Sequence, residues 1–422
     1  MTHCHPGLMT KHDYDVVIVG AGPIGGYLAR KLSEEGLRVL ILEEHAEIGK
    51  PFQCAGLVSP SAMERVGLQH SILSDVFGAR IHSPKGICVR IGTPDIVRTH
   101  VVCRKLFDEG CVRQSLEAGC NLWLNSRPTA VEVSDDGVEL TVIRYGVDGK
   151  GGNEVTVRCS LLCGADGVHS WVRRTLRMGR PKEIMIGFQA EVTGYRGEEG
   201  RLDMFTGEDV APGLFAWAIP NGETYRIGVW SRPDDLDGRS CEHLYDALRN
   251  HPLWKDRFTD VRETARFCGP LACGMVKKVH KQRTVLFGDA AGLCKPTTGG
   301  GIGPGFDQVD ILAAGLIEAV RADACGESDA LSDSALRRIC KPMKKMRKEQ
   351  ERARILRDLF LSSCDDDELE RSFVAFARPE VVSLINDVGE IEKPVPLGLR
   401  LLKEVPEFRR MAARATWALL SG

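Results

Sequence analysis

The sequence predicts an α/β fold, and three observations predict it. A short, nearly all-apolar, β-branched run, Asp15-Val16-Val17-Ile18-Val19, leads straight into Gly20-Ala21-Gly22-Pro23-Ile24-Gly25 and then a helix-like stretch. Two later apolar runs, through Leu162 and through Phe287, lead into Gly164-Ala165-Asp166-Gly167 and Gly288-Asp289-Ala290-Ala291-Gly292. Between and beyond them lie a segment with sheet patterning and a highly charged, helix-like C-terminal stretch. Continuous apolar runs are expected of parallel strands covered on both faces. The expected architecture is a Rossmann-like, discontinuous domain over 13–78, 100–178 and 276–335. A β-sheet domain is expected from 79–99 and 179–275, and a helical C-terminal region from 336 to 422.

The first unit reads through to completion. Gly26 to Glu35 has the character of a helix, with Gly36 as its stop. Arg38 to Leu42 is a second apolar strand, ending at Glu43 and Glu44. Strand, glycine turn, helix, strand and terminal acid make a dinucleotide-binding unit rather than an isolated glycine string. Gly20 permits the tight turn, Gly22 lets backbone approach a pyrophosphate, and Gly25 lets helix pack on strand. Gly20, Gly22, Pro23 and Gly25 are the expected cofactor contacts, with phosphates at the positive end of the helix dipole. Glu43 stands where a carboxylate accepts hydrogen bonds from ribose hydroxyls and repels a 2′-phosphate; Glu44 is grouped with it. The apolar stretch from Val16 to Ala29 is broken by glycines and Pro23, and falls short of the ~18 residues of a spanning helix.

The strand Thr284 to Phe287 is followed by Gly288-Asp289, and after Pro296 by Thr297-Thr298-Gly299-Gly300-Gly301-Ile302. This resembles the second FAD-contacting motif of the flavoprotein class that includes aromatic hydroxylases and geranylgeranyl reductases. The resemblance implies that Asp289, with Gly288, meets the ribityl chain. It also implies that Gly300, Gly301 and Ile302 open a helix beneath the isoalloxazine, where a helix N-terminus stabilises the charge of a reduced flavin. Gly164-Ala165-Asp166-Gly167 resembles the GADG motif of the same class, which places Asp166 near the pyrophosphate. Arg104, followed by Phe107-Asp108, resembles the arginine that opens a helix over the flavin. These matches occur in the order the class requires and imply FAD as cofactor.

Within that class, of p-hydroxybenzoate hydroxylase-like flavoproteins, the chain resembles the geranylgeranyl reductase family over nearly its whole length. Gly49-Lys50-Pro51-Phe52-Gln53-Cys54-Ala55-Gly56 resembles that family's cysteine-bearing loop, which puts Cys54 and Ala55 beside the flavin. Phe215-Ala216-Trp217-Ala218-Ile219-Pro220, followed by Gly228, resembles its tryptophan motif, and Gly389-Glu390-Ile391-Glu392-Lys393-Pro394 its C-terminal signature. Ile219 stands where an aromatic residue is usual, Trp230 where glycine is, and Glu390 where aspartate is. The resemblance implies an FAD-dependent oxidoreductase that saturates C=C bonds of geranylgeranyl or other isoprenoid chains in lipids or their precursors. It implies an isoprenoid lipid partner and an electron donor such as ferredoxin, reduced deazaflavin or NADPH. It further implies a cytoplasmic location with peripheral membrane contact.

Taken on their own, the same residues say less. Phe215 and Trp217 alternate along a strand, so they share one sheet face, with Leu214, Ala216 and Ala218 on the other. They line an apolar tunnel or form ordinary sheet core. Cys54 is a proton donor, a gate, or an inert small side chain. An isolated alkene has no polarising carbonyl, so hydride delivery must be matched by a proton while water is kept out. Cys54, Phe215 and Trp217 are the candidate catalytic set. A flavin monooxygenase or halogenase, and a non-catalytic flavin or lipid carrier, are the competing readings.

Composition narrows the field. The chain has 422 residues, 43% hydrophobic and 27% charged, which suits two or three folded units. A net charge of −2 gives no electrostatic reason to expect a nucleic-acid partner. Fifteen cysteines are scattered without metal-ligand spacing, which fits a reducing compartment and predicts no metal. His3, Cys4 and His5 could hold a metal, but a frayed tail or mis-started translation before Met9 is the preferred reading. Ser334 to Phe360 reads as one long amphipathic helix, basic around Lys341, Lys344, Lys345, Arg347 and Lys348. Asp365-Asp366-Asp367 caps the next helix, and Gly149 to Gly152 reads as a hairpin loop.

Overall fold

In the computed structural model, which describes residues 12–50, 54–146, 149, 151–362, 364–388 and 394–408, the strand Tyr14–Val19 lies inside a parallel sheet. Val39–Leu42 flanks it on one side and the end of Asn153–Gly164 on the other, with Val16 opposite both Val39 and Leu161. Thr284–Leu286 extends the sheet past Asn153–Gly164, and Asn121–Trp123 past Val39–Leu42. Val16, Val17 and Ile18 are fully buried, the reason the run carries no polar residue. Because these strands run parallel, the turns after Val19, Leu42, Gly164 and Leu286 emerge at one edge of the sheet, where open α/β sheets bind ligands. The first half of Asn153–Gly164 pairs antiparallel with Val138–Arg144, as the hairpin reading requires; residues 147, 148 and 150 of that loop lie outside the described residues.

The first helix runs over Pro23–Glu34, three residues earlier than its sequence suggested, and Gly36 takes the turn at φ +80°. Gly26 is therefore inside the helix. A Cβ there would stand 2.9 Å from the Cys111 backbone, so glycine lets this helix approach the helix Arg104–Glu117 closely.

A second sheet of seven strands is built from Gly78–His82, Cys88–Gly92 and five strands between Glu183 and Cys273. One face, with Ala190, Ile227 and Val229, is covered by Leu244, Tyr245 and Leu248 of the helix Cys241–Asn250. Each of those leucines contributes about 1.5–3 kcal/mol by leaving water. The other face carries Phe215, Trp217 and Trp230 and looks toward the glycine-rich segment before Ile302.

The C-terminal region corrects one expectation. Ser334 to Phe360 is not one helix: Asp333–Ile339 ends, the chain turns through Pro342, Met343–Arg357 follows, and a π-helical turn covers Asp358–Ser362. Pro342 cannot donate the backbone hydrogen bond that a continuous helix needs. The helix Asp366–Phe376 starts as expected, with Asp365 accepting the Glu368 N–H at 2.7 Å. Buried Arg357 ties this region down, donating to Glu183, Asp358 and the Pro296 carbonyl.

Among the described residues no helix is long and apolar enough to cross a membrane, and no cluster of His, Cys, Asp or Glu has metal-site geometry. Thirteen cysteines in that set are free thiols. Residues 3–5, residues 51–53 of the cysteine loop and residues 389–393 of the C-terminal signature lie outside the described residues.

Candidate active site

The first glycine turn separates what the fold needs from what a ligand needs. Gly20 has φ +103°, and a Cβ there would stand 2.4 Å from the Ala165 carbonyl oxygen. A Cβ on Gly25 would stand 2.0 Å from the Gly20 carbonyl oxygen. A Cβ on Gly22 meets nothing within 4 Å, and its backbone is ordinary extended chain at φ −75°. The fold itself does not demand glycine at 22, whereas close approach of a ligand to backbone does. The helix starting at Pro23 has no side-chain cap, so its positive end is open. Glu43 is held at the end of its strand, accepting the Ala21 N–H at 2.8 Å and the His45 N–H at 3.0 Å. Glu44 points into solvent.

A second open helix N-terminus converges on the same place. Ile302–Ala324 begins at Gly301, again with no side-chain cap. Ile24 fills the space beside Gly288 and Gly305, where added Cβ atoms would stand 3.1 Å and 2.4 Å from it. Gln308 accepts the Gly288 N–H at 3.0 Å and donates to the Leu286 carbonyl at 2.8 Å, locking the turn that presents Asp289. A Cβ on Gly301 would stand 2.7 Å from Asp289 Oδ1, so glycine there leaves room for the carboxylate at the helix start. Burial pushes the Asp289 carboxyl up, and the Cys294 thiol, donating at 3.3 Å, pulls it back in part. Buried Arg173 donates to Val168 at 2.6 Å and Ala290 at 2.8 Å, joining the two motif turns.

Asp166 supplies the sharpest test of whether this edge fits a cofactor. Its Oδ2 accepts the Val172 N–H at 3.0 Å, while its Oδ1 is buried with no hydrogen-bond partner. Burial pushes this carboxyl up as well. A buried polar atom left unpaired is uncommon and calls for a partner from outside the chain. The orphaned oxygen, two uncapped helix ends and the open edge at Gly22 fit FAD. Gly20, Gly22, Pro23, Gly25, Glu43, Asp166, Gly288, Asp289, Gly300, Gly301 and Ile302 are the residues that would hold it.

Arg104 opens its helix and forks onto Asp108, with Nε to Oδ1 at 3.0 Å and a terminal nitrogen to Oδ2 at 2.8 Å. Burial opposes the guanidinium charge, but Asp108 and the adjacent Cys54 more than offset it, so Arg104 is held above its usual range. Cys54 is half-buried, and its Sγ accepts the Gly56 N–H at 3.3 Å. Ala55 accepts a hydrogen bond from Arg226 at 2.8 Å.

The aromatic strand meets this loop through one residue. Trp217 lies opposite Gly228, where a Cβ would stand 2.4 Å from the indole, and Gln189 is the next residue across on the same face. Gln189 accepts the Trp217 indole N–H at 3.2 Å and makes a long 3.5 Å contact with the Cys54 carbonyl. Phe215 is edge-on to both Trp217 (6.4 Å) and Trp230 (5.4 Å). Trp230 is fully buried against Gly299, with its indole nitrogen unpaired. Leu214, expected on the opposite side, packs in the Phe215 cluster; Ala216 and Ala218 face the other way, as expected. Gly213, just before them, takes φ +70°, which is not regular strand backbone, and the alternation holds from Phe215 to Ala218.

Residues 13–336 match the family model of an FAD binding domain. The digeranylgeranylglycerophospholipid reductase of Methanocella arvoryzae is 30% identical over 345 residues, 78% of this chain and 82% of that protein. The chain belongs to this family of FAD-dependent reductases. The digeranylgeranylglycerophospholipid reductase of Methanococcus vannielii is 29% identical over 413 residues, 94% of this chain and 97% of its own. A geranylgeranyl bacteriochlorophyll reductase-like protein of Thermoplasma acidophilum has the same fold, with TM-score 0.80 and 22% identity over 95% of this chain and 99% of that one. FAD is the reductase's cofactor. Four residues of its site carry no motif: Gln189, Arg226, Arg173 and Gln308. Each makes at least one of its contacts 20 or more residues away, so no local pattern announces it.

Proposed function

We propose that this reductase saturates isolated C=C bonds in the isoprenoid chains of a polar lipid, using the aromatic face of its second sheet as the wall that receives the chain. The observation that carries this reading is the junction at Gln189, which ties the Cys54 loop to Trp217 while Trp230 abuts Gly299 of the cofactor segment. An apolar wall therefore runs up to the cofactor cleft with few polar groups on it. In this reading segments 13–78, 100–178 and 276–335 bind FAD, and 79–99 with 179–275 bind lipid.

Bound FAD supplies the hydride. The chain's own residues do the rest. Phe215, Trp217 and Trp230 exclude water, so the electron-poor carbon that forms as the alkene takes up a proton is not captured by water in place of hydride. Gln189 fixes the Trp217 ring and the Cys54 backbone relative to one another. Cys54 holds the proton at Sγ, a half-buried atom that the Gly56 N–H positions on the loop beside Arg104. The test is anaerobic. Dithionite-reduced holoenzyme mixed with a geranylgeranyl phospholipid should yield product heavier by two hydrogens per double bond, read by mass spectrometry. A hydroxylated or halogenated product formed only with oxygen, and no saturated one, would overturn the reading in favour of a monooxygenase.

A further inference from the structure

The outer side of the helix Met343–Arg357 and the turn before it carry a concentration of charge that the fold does not use. Arg338, Lys341, Lys344, Lys345, Lys348 and Arg352 are all exposed and border one shallow depression, whose only carboxylate is Glu349. Among the described residues none of the six cations has an ion-pair or hydrogen-bond partner, although Lys182, Lys278, Arg337 and Arg354 close by are each paired. Like charges crowded this way repel one another, so the patch costs the isolated chain stability at low salt.

The inner side of the same helix rests on the cofactor segment. Gln350 donates to the Leu293 carbonyl at 3.0 Å, and Arg357 to the Pro296 carbonyl at 3.1 Å. Leu293 and Pro296 lie between Asp289 and the glycines that open the helix Ile302–Ala324. The cationic surface is thus one helix thickness, about 10 Å, from the segment that cradles the flavin. The helix turns its apolar residues Met343, Ala353 and Leu356 inward, and none of the large exposed apolar side chains falls between residues 338 and 357. An anionic membrane would find charge here but nothing to insert. A nicotinamide would need its ring on the flavin itself, not on the outside of a helix.

We infer that this face is the docking site of a small acidic one-electron carrier protein that reduces the flavin. The inference rests on the reductase reading of the flavin site and adds its electron source. Two carrier molecules, each losing one electron, supply the two electrons, and one proton is taken from solvent. Charge complementarity at such a rim acts mainly on the encounter and weakens as salt is raised.

The test uses FAD-loaded full-length protein, a bacterial-type ferredoxin as probe, and the triple variant Lys344→Glu, Lys345→Glu, Lys348→Glu. Calorimetric titration should show ferredoxin affinity falling with salt in the wild type and at least tenfold weaker in the variant. Stopped-flow reduction by ferredoxin should slow by a similar factor, while FAD content and reduction by dithionite stay the same. Equal ferredoxin affinity in the two proteins overturns the inference. So does a variant that loses only its binding to vesicles of equal parts phosphatidylglycerol and phosphatidylcholine, which would make the face a membrane contact. If dithionite fails to drive lipid saturation in both proteins, the alkene reading falls while the docking measurement stands.

Discussion

Gly22 and Gly25 stand three residues apart in one turn, and the structure assigns them opposite sensitivities. A side chain at Gly25 would be driven into the Gly20 carbonyl oxygen at 2.0 Å, backbone that has no room to move. Gly25→Val should therefore cost about 3 kcal/mol or more of folding stability, at the upper end of overpacking. Gly22 has open space before it and an extended backbone any residue adopts, so Gly22→Val should cost no more than about 1 kcal/mol, mostly the preference for glycine at a helix start. Its effect falls on the cofactor. Holding the pyrophosphate away from the helix end forfeits at least two charge-assisted hydrogen bonds of about 1.5–3 kcal/mol each, or roughly two to four orders of magnitude in FAD affinity. Denaturant unfolding of the apoproteins, with FAD content and titration, separates the two. Wild-type FAD affinity in Gly22→Val, or FMN in place of FAD in the wild type, would refute the reasoning.

Three further expectations follow from the site and the second sheet. Cys54→Ala should slow alkene-dependent flavin reoxidation by about 100-fold, the lower end for a lost general acid, with FAD content unchanged; equal rates in anaerobic stopped flow would leave Cys54 a structural residue. Trp217→Ala removes apolar contact worth on the order of 2–3 kcal/mol and leaves Gln189 without its indole donor, so lipid affinity should fall while dithionite reduction does not change. Asp203, fully buried, accepts from Arg80, His82, Tyr195 and Arg257. Burial works against its charge, but His82 and the two arginines win and hold its carboxyl below the ordinary range. A depressed folded value means the unfolded chain takes up the proton first. The stabilisation is complete above about pH 4 and is lost as pH falls through the folded value. Asp203→Asn, which takes the carboxylate from Arg257 and leaves Arg80 only Glu198 at 3.6 Å, should cost about 3 kcal/mol at neutral pH and flatten that acid limb in denaturant melts; an unchanged limb would place the acid sensitivity elsewhere.

The sequence by itself determined the cofactor half of this molecule. Strand, glycine turn, helix and acidic strand end fall within thirty residues, so the chain order spells out the turn, even though Gly20 and Gly26 are required by contacts with Ala165 and Cys111 far along the chain. The same holds for the turn at Asp289 and for Asp365 as a cap. Local reading failed where a single residue interrupts a pattern, as Pro342 divides the expected long helix and Gly213, at φ +70°, breaks regular strand geometry just before Leu214. Only the tertiary structure decided which distant residues complete the site. Arg226 reaches Ala55 from 171 residues away, Gln189 meets the Cys54 loop from 135, and Arg357 joins Glu183 from 174. These contacts exist because two sheets and a C-terminal helix pack around one cleft. A hydrogen bond formed by packing leaves no periodicity in the chain, since neither partner is constrained by its neighbours in sequence.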